Sequence, residues 1–331
     1  MSIKIGVSPI AWSNDDFPEL GGDTSLEQCL KEANSIGFSG IEAGGKFPKN
    51  SSELLPKLEK ENLSLCSGWY GANLLKHSVK EEISSMKAQL KLFKECNAPC
   101  MVVAEVSGSI QGQAKTPLSK RPILNSDEWK SFYFKINEIS KYMEDNGVPL
   151  AYHHHMGTVV QSQEDTERLI DNTINSVKLL IDTGHMMFAG GDFMKIANDY
   201  ASRLIHIHCK DIRKKVLDEA IKKDLSFIDA FFAGAFTVPG DGCIDYVSFL
   251  KLLKNLNYRG WLVVEAEQDP AKANPFEYAK IGYKYLSKTA NDCGFDIIKI
   301  KNNKMLLKFI LKIFTINKTL YKPSCKMSRL L

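Results

Sequence analysis

Short apolar runs alternate along most of this chain with longer stretches in which apolar residues recur every three or four positions. The runs predict buried strands and the longer period predicts amphipathic helices. A first strand is predicted over residues 3–9, then a polar loop over 12–23. Thr24 or Ser25 can cap the helix that follows, to about residue 36, because a side-chain oxygen there satisfies free amide groups. Further strands are predicted at 40–43, 63–67, 100–106, 150–154, 177–182, 204–209 and 261–265. Helical segments at 52–61, 79–94, 127–145, 163–172, 193–201, 246–256 and 276–286 lie between or after them, with a long insertion before the last strand. Repeated strand–helix units of this kind predict an α/β protein, a (β/α)8 TIM barrel. A doubly wound open sheet is the alternative. It usually carries a glycine-rich phosphate turn after its first strand, and neither GxGxxG nor GxxxxGK[ST] occurs here.

In such a barrel, function collects at the C-terminal ends of the strands. The predicted fourth strand ends near Glu105, and the fifth in His153, His154 and His155. The sixth ends in Asp182, followed by Thr183, Gly184 and His185. The seventh contains His206 and His208 before Lys210 and Asp211, and the eighth ends in Glu265 with Glu267 two residues on. Six of the seven histidines fall in three of these short segments. Imidazoles and carboxylates together suit a divalent transition metal. Alternation sends residues i and i+2 to one face, so His153 with His155, His206 with His208 and Glu265 with Glu267 each pair a ligand with a supporting residue. His154 competes with His153 if the strand register slips by one.

The strings IGVSPIAWSNDD (5–16), AYHHHMGTVVQ (151–161), DTGHMMFAGGD (182–192), HIHCKDIR (206–213), TVPGDG (237–242) and GWLVVEAEQDP (260–270) resemble the inosose (2-keto-myo-inositol) dehydratases, over about residues 3–293. That family sits within the sugar isomerase/epimerase superfamily of xylose isomerase-like barrels. The resemblance implies one divalent metal held by Glu, Asp, His and Glu from successive strands. Asp182, His208 and Glu265 match the last three, and His153 stands where the superfamily's first Glu would be. His185 matches a substrate-binding histidine of related epimerases. The implied activity is dehydration of 2-keto-myo-inositol to a trihydroxycyclohexane dione with Mn or Co; glutathione is implied by the resemblance alone.

Elimination beside a ketone needs a base, stabilisation of the enolate and a proton for the leaving hydroxyl. His155 and Glu267 are the candidates for proton transfer, their roles interchangeable, and His185 for orienting hydroxyls. Trp12, Asn14, Lys46, Glu105 and Arg213 are candidate polyol contacts, each alternatively a loop or ion-pair residue. Val238 to Gly242 predicts a turn rather than a phosphate cradle.

Charge changes the picture in one place. The formal net charge is +4, but residues 295–331 carry nine Lys or Arg against one acid, a net +8, which leaves −4 on residues 1–294. A barrel domain over 1–294 and a basic extension over 295–331 are therefore expected. The mildly acidic body argues against nucleic-acid binding and against a barrel nuclease. Residues 305–316 form a basic amphipathic stretch, for which an unstructured tail is favoured over membrane contact. Eight scattered cysteines without a CxxC pair predict free thiols in a cytoplasmic enzyme. A homo-oligomer is compatible with the chain. A ketose epimerase or isomerase on the same barrel is the rival activity, weakened by the histidine at 153; a non-catalytic polyol-binding protein is the reading from another class.

Overall fold

The computed structural model describes residues 1–299 apart from Asp16, Pro18 and Glu19. Strands β1 (Ser2–Val7), β2 (Gly40–Ala43), β3 (Ser64–Ala72), β4 (Met101–Glu105), β5 (Leu150–His153), β6 (Val177–Asp182) and β7 (Leu204–Cys209) lie side by side in chain order, all parallel. After a short antiparallel ribbon, β8 (Asp211–Ile212) with β9 (Phe236–Thr237), strand β10 (Trp261–Val264) pairs with both β7 and β1. That second pairing closes the circle, so the chain is a TIM barrel and not an open sheet.

Helices α1 (Leu26–Ile36), α2 (Ser51–Lys60), α3 (Val79–Glu95), α4 (Ser126–Asp145), α5 (Gln163–Asp171), α6 (Thr183–Phe188), α7 (Phe193–Asp199), α8 (Lys214–Lys222), α9 (Phe227–Phe232), α10 (Tyr246–Asn255) and α11 (Pro275–Asp292) occupy the connections. Their starts are set by local chemistry. Ser25, not Thr24, caps α1 by accepting from the Gln28 amide. Ser78, Asn125 and Ser162 form reciprocal capping boxes with Glu81, Glu128 and Asp165.

Alternation along the strands divides the core. Val103, Tyr152, Leu179, Ile181 and Ile207 join the large apolar layer shared with the helices. Cys100, Val102, Ala151 and Leu180 form a small separate cluster, the apolar filling of the barrel itself. Two residues further on, the same faces of β5 and β6 present His153 and Asp182.

Several elements differ from the sequence expectation. β3 runs to Ala72 rather than ending at 67, continuing through Gly68 and Gly71. α6 was not expected, and its cap is Asp182, whose carboxylate accepts from the His185 amide. The insertion holds α8, α9 and the ribbon, which build a second apolar cluster around Met156, Phe188, Leu217, Phe227 and Phe236. At the other end Phe295 is buried and β11 (Asp296–Ile297) pairs with Ser2 and Ile3, so residues 295–299 join the barrel rather than the extension. The amphipathic stretch at 305–316 lies outside the described residues. No helix among the described residues is long and apolar enough to cross a membrane. The seven described cysteines are all free thiols, five of them buried.

Candidate active site

A cavity of about 660 Å³ opens at the C-terminal end of the barrel, lined among others by Ser8, Asp15, Glu42, Trp69, Gln111, His153, His155, His208, Glu265 and Glu267. On its floor, one donor atom each from His153, Asp182, His208 and Glu265 lie within 4.8 Å of one another. Asp182 Oδ2 stands 3.6 Å from His153 Nε2 and 3.6 Å from His208 Nδ1, and Glu265 Oε2 is in very close contact with that same Nδ1.

Each of these side chains is turned by a bond on its far side. Asp182 Oδ1 accepts from the His185 amide at 2.8 Å, which leaves Oδ2 facing the cluster. His153 donates from Nδ1 to its neighbour's carbonyl at 2.7 Å; a carbonyl only accepts, so Nε2 keeps its lone pair. His208 directs Nε2 to Glu42 at 3.0 Å and Nδ1 inward. Asp182 Oδ2, His208 Nδ1 and Glu265 Oε2 are buried and make no hydrogen bond of ordinary geometry among the described residues; they face each other and, for Asp182, the Lys210 ammonium. Buried polar atoms are normally hydrogen-bonded. Three such atoms aimed at one point, with two imidazoles and two carboxylates, are the composition of a divalent-metal site.

His154 is not part of it. Its ring points outward from the barrel axis, where Nε2 accepts from the Asp182 amide at 3.3 Å, and burial pushes its pKa down to about 3. The register therefore brings His153 to the cluster.

A second group adjoins the first. His155, His185 and Glu267 place donor atoms within 4.8 Å of each other. His155 donates from Nδ1 to the Met156 carbonyl at 2.9 Å and sets Nε2 3.8 Å from Glu267. Beneath them lies Lys210, fully buried, its ammonium 2.6 Å from Glu267, 2.9 Å from His185 Nε2, 3.4 Å from Asp182 and 3.6 Å from Glu265. Burial opposes the charge on Lys210, but Asp182, Glu265 and Glu267 outweigh it and raise its pKa. Burial likewise pushes Glu267 up, and Lys210 outweighs that and holds its pKa at about 2. His185 is driven well below the usual imidazole range by burial and then by Lys210, so it is neutral. It does not line the cavity, standing behind His155 at 4.0 Å between ring centres, with Phe227 and Phe236 on its other side. The insertion thus supplies an apolar wall to the histidine pair.

The proposed polyol contacts fall elsewhere. Trp12 is buried, its indole donating to Glu32 at 2.6 Å. Asn14 accepts from the Phe17 amide at 3.1 Å. Lys46 is exposed and clamps the carbonyls of Gly21, Gly22 and Thr24. Glu105 is buried and accepts from the amides of Leu74 and Ser107. Arg213 braces the ribbon through the Gly234 and Phe236 carbonyls, Thr237 and Asp241. None of the five lines the cavity. Apart from Trp12, whose partner is a carboxylate, they serve backbone groups that need partners. Val238 to Gly242 folds as the predicted turn, wrapped on the Asp211 carboxylate, which accepts from the amides of Gly240 and Ile244.

Three residues had no role in the sequence reading. Glu42 lies near the end of β2 and lines the cavity; Trp69 lies edge-on to His153 at 5.6 Å and His155 at 5.5 Å; Lys210 was noted at the end of its strand without an assignment. The alternation of His208 with Lys210 was the available signal for the last.

Residues 30–289 match the model of the family described as xylose isomerase-like TIM barrel. Rhizopine catabolism protein MocC of Rhizobium meliloti is 46% identical over 295 residues, 89% of this chain and 91% of the relative. Inosose dehydratase 2 of Bacillus cereus is 43% identical over 291 residues, 87% of this chain and 98% of the relative. A solved structure of IOLI protein with a bound zinc atom superimposes with a TM-score of 0.58 at 17% identity, over 88% of this chain and 98% of the other, a likeness of fold.

Proposed function

The chain belongs to the xylose isomerase-like TIM-barrel family and, within it, to the inosose dehydratases, and from that premise we propose that its barrel mouth removes water from 2-keto-myo-inositol. The product is a trihydroxycyclohexane-1,2-dione, and the setting is cytoplasmic catabolism of myo-inositol. The observation that carries this reading is the convergence of Asp182 Oδ2, His208 Nδ1 and Glu265 Oε2 on one point of the floor of a polar-lined cavity. With His153 they would hold a divalent ion, Mn or Co by our reading, which supplies Lewis-acid polarisation of the ketone.

The remaining work falls to the chain. His155, fixed by its Nδ1–H on the Met156 carbonyl, offers the Nε2 lone pair to the cavity. It takes the proton from the hydroxyl-bearing carbon beside the ketone. That C–H electron pair forms the new C=C bond, the hydroxyl on the next carbon leaves, and the proton on His155 returns to it as water. The enol left behind tautomerises to the dione. Glu267, held ionised by Lys210, stabilises the imidazolium rather than donating a proton itself. His185 positions His155 by ring contact and carries no charge of its own.

The test is product analysis after incubation with 2-keto-myo-inositol and, separately, a panel of ketoses, with and without glutathione. Loss of one water from the cyclitol and no epimerised ketose is expected. Epimerised ketose with the cyclitol untouched would replace the dehydratase reading by the epimerase one.

A further inference from the structure

We infer that Glu42 is a positioning residue of the metal centre: it dictates which nitrogen of His208 faces the cluster. This rests on the reading of His153, Asp182, His208 and Glu265 as ligands. Glu42 is the penultimate residue of the short strand β2 and is buried, and positions on β3 and β7 around it bring three donors to a single oxygen. His208 Nε2 lies 3.0 Å from Glu42 Oε1, His206 Nε2 lies 3.2 Å from it, and the Ser67 hydroxyl donates to it in a very short contact. Ser67 Oγ is also 3.1 Å from His206 Nε2, so the carboxylate is locked from two strands.

An ionised carboxylate only accepts. The Ser67 hydroxyl, His206 Nε2 and His208 Nε2 all lie within hydrogen-bond reach of the one oxygen Oε1 of Glu42, an acceptor ringed by donors. His208 Nε2 therefore carries a proton, and its inner nitrogen must be the one to ligate. That inner nitrogen, Nδ1, faces the ligand oxygens, in very close contact with Glu265 Oε2 and 3.6 Å from Asp182 Oδ2. A carboxylate on the far nitrogen of a ligating imidazole fixes the ring and strengthens it as a donor, and its loss typically weakens metal binding 10–100-fold. The same three groups, Glu42, His206 and His208, also lie close enough to hold an ion of their own. Their distances to one shared oxygen are those of hydrogen bonds, which favours the positioning role.

The test measures Mn binding by calorimetry on the full-length chain as wild type, Glu42→Gln and Ser67→Ala. One site in the wild type, a dissociation constant raised roughly 10–100-fold in Glu42→Gln and by a smaller factor in Ser67→Ala, is the expected result. In the zinc-loaded wild type, histidine 15N spectra should find His208 ligated through Nδ1 with its Nε2 protonated. A Glu42→Gln constant within twofold of wild type overturns the inference while leaving the metal centre standing. Two ions per wild-type chain with one lost in Glu42→Gln also overturns it, making Glu42 a ligand. If Glu42→Gln does not fold, Ser67→Ala decides, and unchanged affinity there counts against the inference. A wild type that binds no divalent ion would overturn this inference and the metal reading together.

Discussion

At the level of Val102, Ala151 and Leu180 the barrel interior is apolar except for His206, whereas one strand step higher the same faces of β5 and β6 carry the metal-site candidates His153 and Asp182. The backbone that positions the two layers is continuous, and the register that seats Leu180 beside His206 also seats Asp182 beside His208. The lower layer gains free energy by packing. The upper layer gives some up by burying carboxylates and imidazoles, and holds only because Lys210 and Glu42 supply counter-charge and hydrogen bonds. The contrast separates what folds the chain from what the chain does with the fold.

Substitutions should break that contrast in a graded way. Asp182→Ala removes a ligand atom and should abolish metal retention and lower turnover by more than about 100-fold, beyond what loss of a supporting residue does; metal analysis alongside kinetics checks both. Lys210→Met leaves Asp182, Glu265 and Glu267 facing each other unpaired in a buried site. A loss of about 3–5 kcal/mol in denaturant melts and a collapse of kcat should appear together. Gly184→Ala is subtler. A methyl there would stand 2.7 Å from Lys210 Cγ, near the fixed end of that side chain, so kcat should fall about tenfold with an overpacking cost of about 1–3 kcal/mol. Leu180→Ala addresses the lower layer. It should cost about 2–5 kcal/mol of stability while metal affinity and turnover per folded molecule stay at wild-type values. Arg213→Ala should change kcat and KM less than twofold, since its bonds end on the ribbon and not in the cavity.

Much of this division was legible in the sequence, and the reason is local. Strands β6 and β7 begin and end where the apolar runs do, because each run is buried on both faces and bounded by polar residues. Alternation set each i, i+2 pair on one side: Glu265 and Glu267 both line the cavity, and His206 and His208 both reach Glu42. The choice between His153 and His154 needed three dimensions, since adjacent histidines differ only in which side of the strand they leave. Glu42 was invisible because Gly40–Ala43 is too short for a period to emerge, and its importance lies in partners 25 and 166 residues away. Trp69 was missed because the predicted strand stopped at 67, whereas β3 continues through it to Ala72. Lys46, Glu105 and Arg213 were misplaced for a common reason: a charged residue beside a strand end serves a backbone clamp as readily as a pocket, and residue type alone does not tell the two apart.

The most direct measurement follows dione absorbance from 2-keto-myo-inositol with chelator-treated full-length protein, before and after adding Mn or Co. The account predicts no absorbance growth from the stripped protein and recovery on addition of either ion. Full turnover by metal-free protein, or none from a folded protein with any divalent ion, would contradict it.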